Sequence, residues 1–333
     1  MLMAARGWLK FVRLRIALLL ALGCLSAIHA AADASETWMF PSGDFQRRVL
    51  IDRPQGEQPR PLVIVLHGNA QRPEDVRGRM TWQDLVAKGE IVAAFPEGIN
   101  LAWMDGRAPE AFLGRRPVAG VDDVAFLVSL VDHLAGEGIV DRKRVFVTGL
   151  SNGGLMTYRL LCERADVFAG GAAIAASLWP GLAQTCQPQQ PRPILVMNGT
   201  NDGVIPYDAT DPASITRGKV YTVGTQETVV HWRRANGCLD DMAARAMADT
   251  DPSDQSTVTH IVWKCPPGKA VELYRINGGG HRIPALAATL QRAGIDIHSG
   301  GQNLDIDSAH EIWRFFSRST PDVVAQRRGI NTQ

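Results

Sequence analysis

Apolar positions in this chain fall into short unbroken runs that alternate with stretches of helical spacing. Residues 61–66 (PLVIVL) and 91–95 (IVAAF) are apolar throughout, as strands buried on both faces must be, and residues 48–52, 171–176, 194–197 and 271–276 read as further strands. Residues 73–88 predict a helix with Val76, Met80, Leu85 and Val86 as its buried positions. Asp122 and Asp123 cap a predicted helix in which Val124, Leu127, Val131 and Leu134 recur, and residues 136–138 end it. Residues 225–236 and 309–316 predict amphipathic helices, the second closing against the sheet with Asp305 and Asp307 as caps before it. Strand and helix alternating over this length predict an α/β fold: a mostly parallel central sheet with helices on both faces.

One strand-to-helix junction carries chemistry. Val145, Phe146, Val147 and Thr148 form a strand-like run that enters Gly149-Leu150-Ser151-Asn152-Gly153, and Leu155, Met156, Tyr158, Leu160 and Leu161 then recur as in a helix. A serine in a G-x-S-x-G turn between strand and helix is lifted off the sheet edge, with small neighbours leaving room for the adjacent backbone. The helix behind it offers free N–H groups to a developing oxyanion. Ser151 is therefore a candidate nucleophile. A chance glycine-serine turn accounts for the letters but not for their place.

A serine hydroxyl needs a base, and among eight histidines His281 follows Gly278-Gly279-Gly280 at the carboxyl end of the strand 271–276, the edge where open α/β sheets build their sites. His133 and His231 fall within helices, His310 near a helix start and His260 in or beside a strand, all structural positions, whereas His298 stays open as a loop residue. Asp202, after the strand 194–197, is the candidate acid that orients the base, against the alternative that Asn-Asp-Gly is turn chemistry alone. The order Ser151, Asp202, His281 is that of the α/β-hydrolase triad. An oxyanion hole then pairs the Asn152 N–H with one from the loop 66–70, for which Asn69 is the candidate donor. His67 is read as shaping the near wall of the cleft, with a purely structural loop histidine as an equal alternative. Trp103, Met104, Trp179, Pro206 and Tyr207 lie in the loops beyond the strand ends and are expected to line an apolar, substrate-binding cleft.

Composition narrows the setting. Arg6, Lys10, Arg13 and Arg15 precede an apolar stretch at 16–28 and the small residues Ala30, Ala31 and Ala32, which reads as a secretory signal peptide over 1–32, with an uncleaved anchor as the minority alternative. Cys24 lacks the preceding Leu expected of a lipidation site, since Ala21 stands there. Residues 33–333 are expected to form a single catalytic domain. The 35 Lys and Arg against 34 Asp and Glu leave a net charge of +1 with no basic run, which argues against nucleic acid and against a membrane partner after signal cleavage. Cys162, Cys186, Cys238 and Cys265 remain beyond the leader, an even count in a chain sent to an oxidising compartment, so two disulfides are expected among three open pairings. No C-x-x-C or H-x-x-x-H spacing occurs, and neither a metal nor another cofactor is expected.

Taken together, LHGNAQ at 66–71, FPEG at 95–98 with Trp103 beyond, GLSNGG at 149–154, NGTND at 198–202 leading to Ile205, Pro206 and Tyr207, and GGGH at 278–281 resemble the secreted polyhydroxybutyrate depolymerase and feruloyl esterase family of α/β-hydrolases. The resemblance covers residues 40–318. It implies Ser151, Asp202 and His281 as the triad, the oxyanion loop as placed above, and the pairings Cys162 with Cys186 and Cys238 with Cys265. Two departures stand out. Arg282-Ile283-Pro284 follows the histidine where the family often has Trp-Pro, and the segment 285–303 is long for this position and is expected to form a flap. The expected activity is hydrolysis of small or oligomeric esters, short-chain, hydroxyalkanoate or hydroxycinnamoyl. The rivals are a depolymerase acting on polymer, a secreted serine peptidase of the same fold and a catalytically silent binding protein. Nothing in the sequence sets the oligomeric state.

Overall fold

In the computed structural model, which describes residues 35–294 and 301–320, the apolar runs become the centre of a ten-stranded sheet. The signal segment and His298 lie outside the described residues. The strands are β1 (Glu36–Ser42), β2 (Phe45–Asp52), β3 (Arg60–Leu66), β4 (Val92–Pro96), β5 (Val140–Leu150), β6 (Gly170–Ile174), β7 (Ile194–Gly199), β8 (Met242–Ala246), β9 (Thr257–Trp263) and β10 (Val271–Asn277), in the spatial order β1-β2-β4-β3-β5-β6-β7-β10-β9-β8. The six inner strands from β4 to β10 run parallel. The pairs outside them are antiparallel. The helices are α1 (Pro73–Arg79), α2 (Trp82–Ala87), α3 (Asp123–Gly136), α4 (Asn152–Glu163), α5 (Pro180–Thr185), α6 (Gly224–Asn236), α7 (Ala287–Arg292) and α8 (Ser308–Ser319).

The unbroken apolar runs are explained by two cores, one on each sheet face. Along β3, Leu62, Ile64 and Leu66 enter the layer shared with Leu127 and Val131 of α3 and Leu155 of α4. Val63 and Val65 enter the opposite layer, where α8 brings Ile312, Trp313 and Phe316. Phe316 stacks on Phe146 of β5 with ring centroids 4.5 Å apart. Each fully buried aliphatic or aromatic side chain contributes roughly 1.5–3 kcal/mol, so a strand filled on both sides anchors the sheet centre.

Where pattern and structure differ, long-range contacts decide. The helix expected over 73–88 is broken into α1 and α2, because Met80 turns to extended backbone and buries its side chain. The Thr81 hydroxyl is drawn out of the helix to the carboxylate of Asp307, 2.7 Å away at the start of α8. Asp307 caps α8 by accepting from the His310 N–H, as expected. Asp305 does not; it accepts from the Thr250 and Asp251 N–H groups and from Asn303 instead. Likewise Asp122 caps α3, while Asp123 pairs with Arg47.

The expected cysteine pairs are bonded. Cys162, in the last turn of α4, joins Cys186 just after α5, and Cys238 joins Cys265 around an excursion that contains β8 and β9. At a sequence separation of 27, the second bridge restricts the unfolded chain by about 3.5 kcal/mol. Replacing Cys238 and Cys265 together with Ala is expected to lower the unfolding free energy by that amount in urea titration, and an unchanged midpoint would contradict it.

Candidate active site

Because β5, β7 and β10 are parallel, their carboxyl ends share one edge of the sheet, and Ser151, Asp202 and His281 follow those three ends. Ser151 has φ 56° and ψ −117°, a conformation that costs a non-glycine residue on the order of 1–3 kcal/mol. The junction closes only without side chains beside it. A Cβ on Gly149 would lie 2.4 Å from the Gly153 carbonyl carbon, and one on Gly153 would lie 2.5 Å from the carbonyl oxygen of Leu66. The backbones of β3, β5 and α4 therefore meet at this turn, and the Ser151 N–H is tied to the Ile174 carbonyl at 2.9 Å.

Asp202 divides its two oxygens. Oδ1 accepts from the N–H groups of Val204 and Ile205, each at 2.8 Å, while Oδ2 lies 2.7 Å from His281 Nδ1. Turn chemistry and histidine orientation thus coexist in one side chain, which is buried, whereas His281 keeps 20 % of its side chain exposed. The loops carrying the two residues are laced together by the Thr200 N–H to Ile276 O, the Asn201 N–H to Gly279 O and the Gly278 N–H to Thr200 Oγ1. The returning segment from Gly301 holds the histidine loop from behind, through the Gly280 N–H to Gly301 O at 2.7 Å and Gln302 Nε2 to Ile283 O at 2.8 Å.

Around the serine, Asn152 is the first residue of α4. Asn69 binds the chain opposite through its side chain, which donates to Arg115 O at 2.7 Å and accepts from Arg115 N at 2.8 Å. His67 and Trp103, expected on the cleft wall, are instead fully buried. The loop after β4 folds back over them: the Gly98 N–H donates to His67 Nε2 at 2.9 Å, and Trp103 Nε1 donates to His67 O at 3.0 Å. With Nε2 accepting, Nδ1 carries the hydrogen and donates to Gly68 O at 2.8 Å. His67 is thus the structural alternative weighed for it. Trp179 and Tyr207 remain partly exposed, the Tyr207 hydroxyl accepting from Gln226 Nε2 at 2.9 Å.

The segment that joins these pieces contains two residues, Asp105 and Arg107, that no sequence motif marks. Trp103 N and O pair with the Asn152 side chain, Asp105 is fully buried against both Asn152 and Arg107, and the Ala70 N–H reaches Leu101 O at 2.9 Å. The one available signal was an Asp and an Arg two residues apart in a glycine-containing loop, which reads equally well as a solvated turn. Among the described residues no group of three or more His, Cys, Asp or Glu side chains is arranged to hold a metal, and no helix is long and apolar enough to cross a membrane.

Residues 114–179, which include the serine turn, match the model of the prolyl oligopeptidase family. Over 231 residues the chain is 31% identical to NocK of Nocardia uniformis subsp. tsuyamanensis, a protein that carries the name of an esterase, covering 68% of this chain and 66% of that one. Feruloyl esterase B of Piromyces equi is 30% identical over 248 residues, 71% of this chain but 42% of its own length. The chain thus spans less than two thirds of either relative. Acetyl xylan esterase from Aspergillus awamori superposes with a TM-score of 0.52 at 14% identity, covering 78% of this chain and 99% of that one. The mostly parallel sheet with helices on both faces is the α/β-hydrolase fold. Within that fold, the chain is similar to proteins that carry the names of esterases.

Burial pushes the His67 imidazole down from 6.5 to about 4. The folded protein therefore keeps this ring neutral where the unfolded chain takes up a proton. Its contribution to stability is complete above pH 6.5 and is lost as pH falls towards 4, a total of about 3 kcal/mol. NMR titration is expected to find the His67 ring titrating near 4, and a midpoint near 6.5 would contradict the buried pin.

Proposed function

We propose that the protein is a secreted serine carboxylic-ester hydrolase that works through an acyl-enzyme on Ser151. The observation that carries this reading is the His281 Nδ1 to Asp202 Oδ2 contact of 2.7 Å at the sheet edge where Ser151 is held in strained backbone. In this reading Ser151 Oγ attacks the ester carbonyl carbon and its proton passes to His281 Nε2. The carbonyl oxygen takes the electron pair and faces the N–H groups of Asn69 and Asn152. Collapse breaks the bond to the alcohol, which leaves with the proton from His281, and a water deprotonated by the same nitrogen then releases the acid and restores Ser151. Asp202 stabilises the imidazolium without itself taking the proton.

Short-chain, hydroxyalkanoate and hydroxycinnamoyl esters are the proposed substrates, supported by relatives named for feruloyl ester cleavage. Trp179 and Tyr207, both partly exposed, are the proposed cleft residues. Two disulfides fit export to an oxidising compartment, and the proposal takes residues 1–32 as the leader and 33–333 as the catalytic domain. The match of residues 114–179 to the prolyl oligopeptidase family favours peptide cleavage as the second reading. The serine turn serves either chemistry.

Protein recovered from medium or periplasm, assayed on p-nitrophenyl acetate and butyrate, methyl ferulate, hydroxybutyrate oligomers, polymer granules and a peptide amide series, separates these readings. Soluble esters are expected to be cleaved fastest. Ser151→Ala is expected to lower kcat by about four to six orders of magnitude and Asp202→Asn by about four, with the fold intact. Faster amide than ester cleavage, wild-type turnover by Ser151→Ala, or protein confined to the cytoplasm would each overturn the corresponding part.

A further inference from the structure

Asn152 is gripped more firmly than a helix-start residue needs to be. Its Oδ1 accepts from the Trp103 N–H at 2.7 Å, one Nδ2 hydrogen goes to Trp103 O at 2.9 Å, and the other goes to Asp105 Oδ2 at 2.7 Å. Both amide donors are thereby used. Three hydrogen bonds to one loop anchor the side chain of the first residue of α4, and through its Cα the start of the helix, against that loop. That sets the direction of its main-chain N–H, one of the free donors at the helix start.

The partner chosen for this grip is costly. Asp105 is fully buried and Arg107 nearly so, and a buried ion pair repays its desolvation only with good geometry. Here the geometry is good: Arg107 Nε lies 3.0 and 3.1 Å from the two Asp105 oxygens and its Nη2 lies 2.7 Å from Oδ2. The guanidinium also sits 4.2 Å over the Phe112 ring and donates to Ala111 O at 3.2 Å. A carboxylate gives Asn152 a stronger, charge-assisted hydrogen bond than a neutral acceptor would. Left alone, however, its charge would oppose any oxyanion forming close by. Arg107 cancels that charge while leaving the hydrogen bond in place.

We infer that Asp105, neutralised by Arg107, is a positioning residue that aims the Asn152 N–H at the developing oxyanion. The inference rests on the ester-hydrolase reading above. The same segment fastens the other side of the hole, through the Gly98 N–H to His67 Nε2 and the Ala70 N–H to Leu101 O, and it reaches the serine turn through the Trp103 backbone and the Asp105 carboxylate.

The test compares wild type, Ser151→Ala and Asp105→Asn on p-nitrophenyl acetate and on its thiono analogue, with active sites counted from the burst of nitrophenol. A sulfur anion is a weaker hydrogen-bond acceptor than an oxyanion and depends less on aimed donors. Removal of one oxyanion donor costs about 100- to 1000-fold, so a misaimed one is expected to lower kcat per active site about 10- to 100-fold with KM within about twofold. The preference for the oxygen ester over the thiono ester should shrink about tenfold. If Asp105→Asn accumulates poorly, the neutral pair Asp105→Asn with Arg107→Gln, which leaves no buried unpaired charge, takes its place in the comparison. Unchanged kcat per active site, or a loss that leaves the oxygen-to-thiono ratio at its wild-type value, overturns the inference and assigns Asp105 to stability alone. An inactive wild type, or an active Ser151→Ala, instead overturns the ester-hydrolase reading beneath it.

Discussion

Three backbones meet at van der Waals distance beneath Ser151, and the architecture depends on that meeting. A Cβ on Gly149 would strike Gly153, and one on Gly153 would strike the carbonyls of Leu66 and His67, so the end of β5, the start of α4 and the end of β3 form one contact. Strain at the serine, with its φ of 56°, is offset by what flanks it. On either side lie the filled faces of β3 and β5 and the buried face of α4, each side chain contributing roughly 1.5–3 kcal/mol. A loosely packed sheet would relax the turn.

Polar groups then fix what packing alone leaves free. The loop between β4 and α3 is tied down by two buried ion pairs. Arg47 with Asp123 takes in the Met104 N–H at 2.7 Å, and Asp105 with Arg107 takes in the Asn152 side chain. Such pairs add little net stability over apolar side chains of the same size, but breaking one strands a buried charge. Their effect is to make alternative loop conformations expensive. The His281 loop is held by a different device, main-chain hydrogen bonds to Asn201 and Gly301 and one from the Gly278 N–H to the Thr200 hydroxyl. Rigidity at this sheet edge is therefore assembled separately for the serine turn and for the proposed acid and base.

Much of this was legible in the chain and some was not, for physical reasons. The inner strands announce themselves because burial on both faces leaves no polar position in 62–66 or 92–95. The serine turn is legible because only small residues fit it. By contrast, β8 is exposed at every position and carries no alternation, so its strand character comes from pairing with β9 and not from its own residues. The break at Thr81 depends on Asp307, more than two hundred residues away. The burial of His67 and Trp103 depends on a loop folding back, and an aromatic residue next to a motif looks the same whether it faces a cleft or floors it. Asp105 and Arg107 were illegible for the same reason: charge predicts exposure until a partner is known.

In the proposed mechanism Ser151 carries the acyl group. Rapid acid quench of the protein during turnover of p-nitrophenyl butyrate, followed by peptide mass spectrometry, tests it directly. A single butyryl group on the peptide containing Ser151, absent from Ser151→Ala, is the predicted result. Butyrylation of a different residue, or continued turnover with no acylated peptide at any time point, would contradict it.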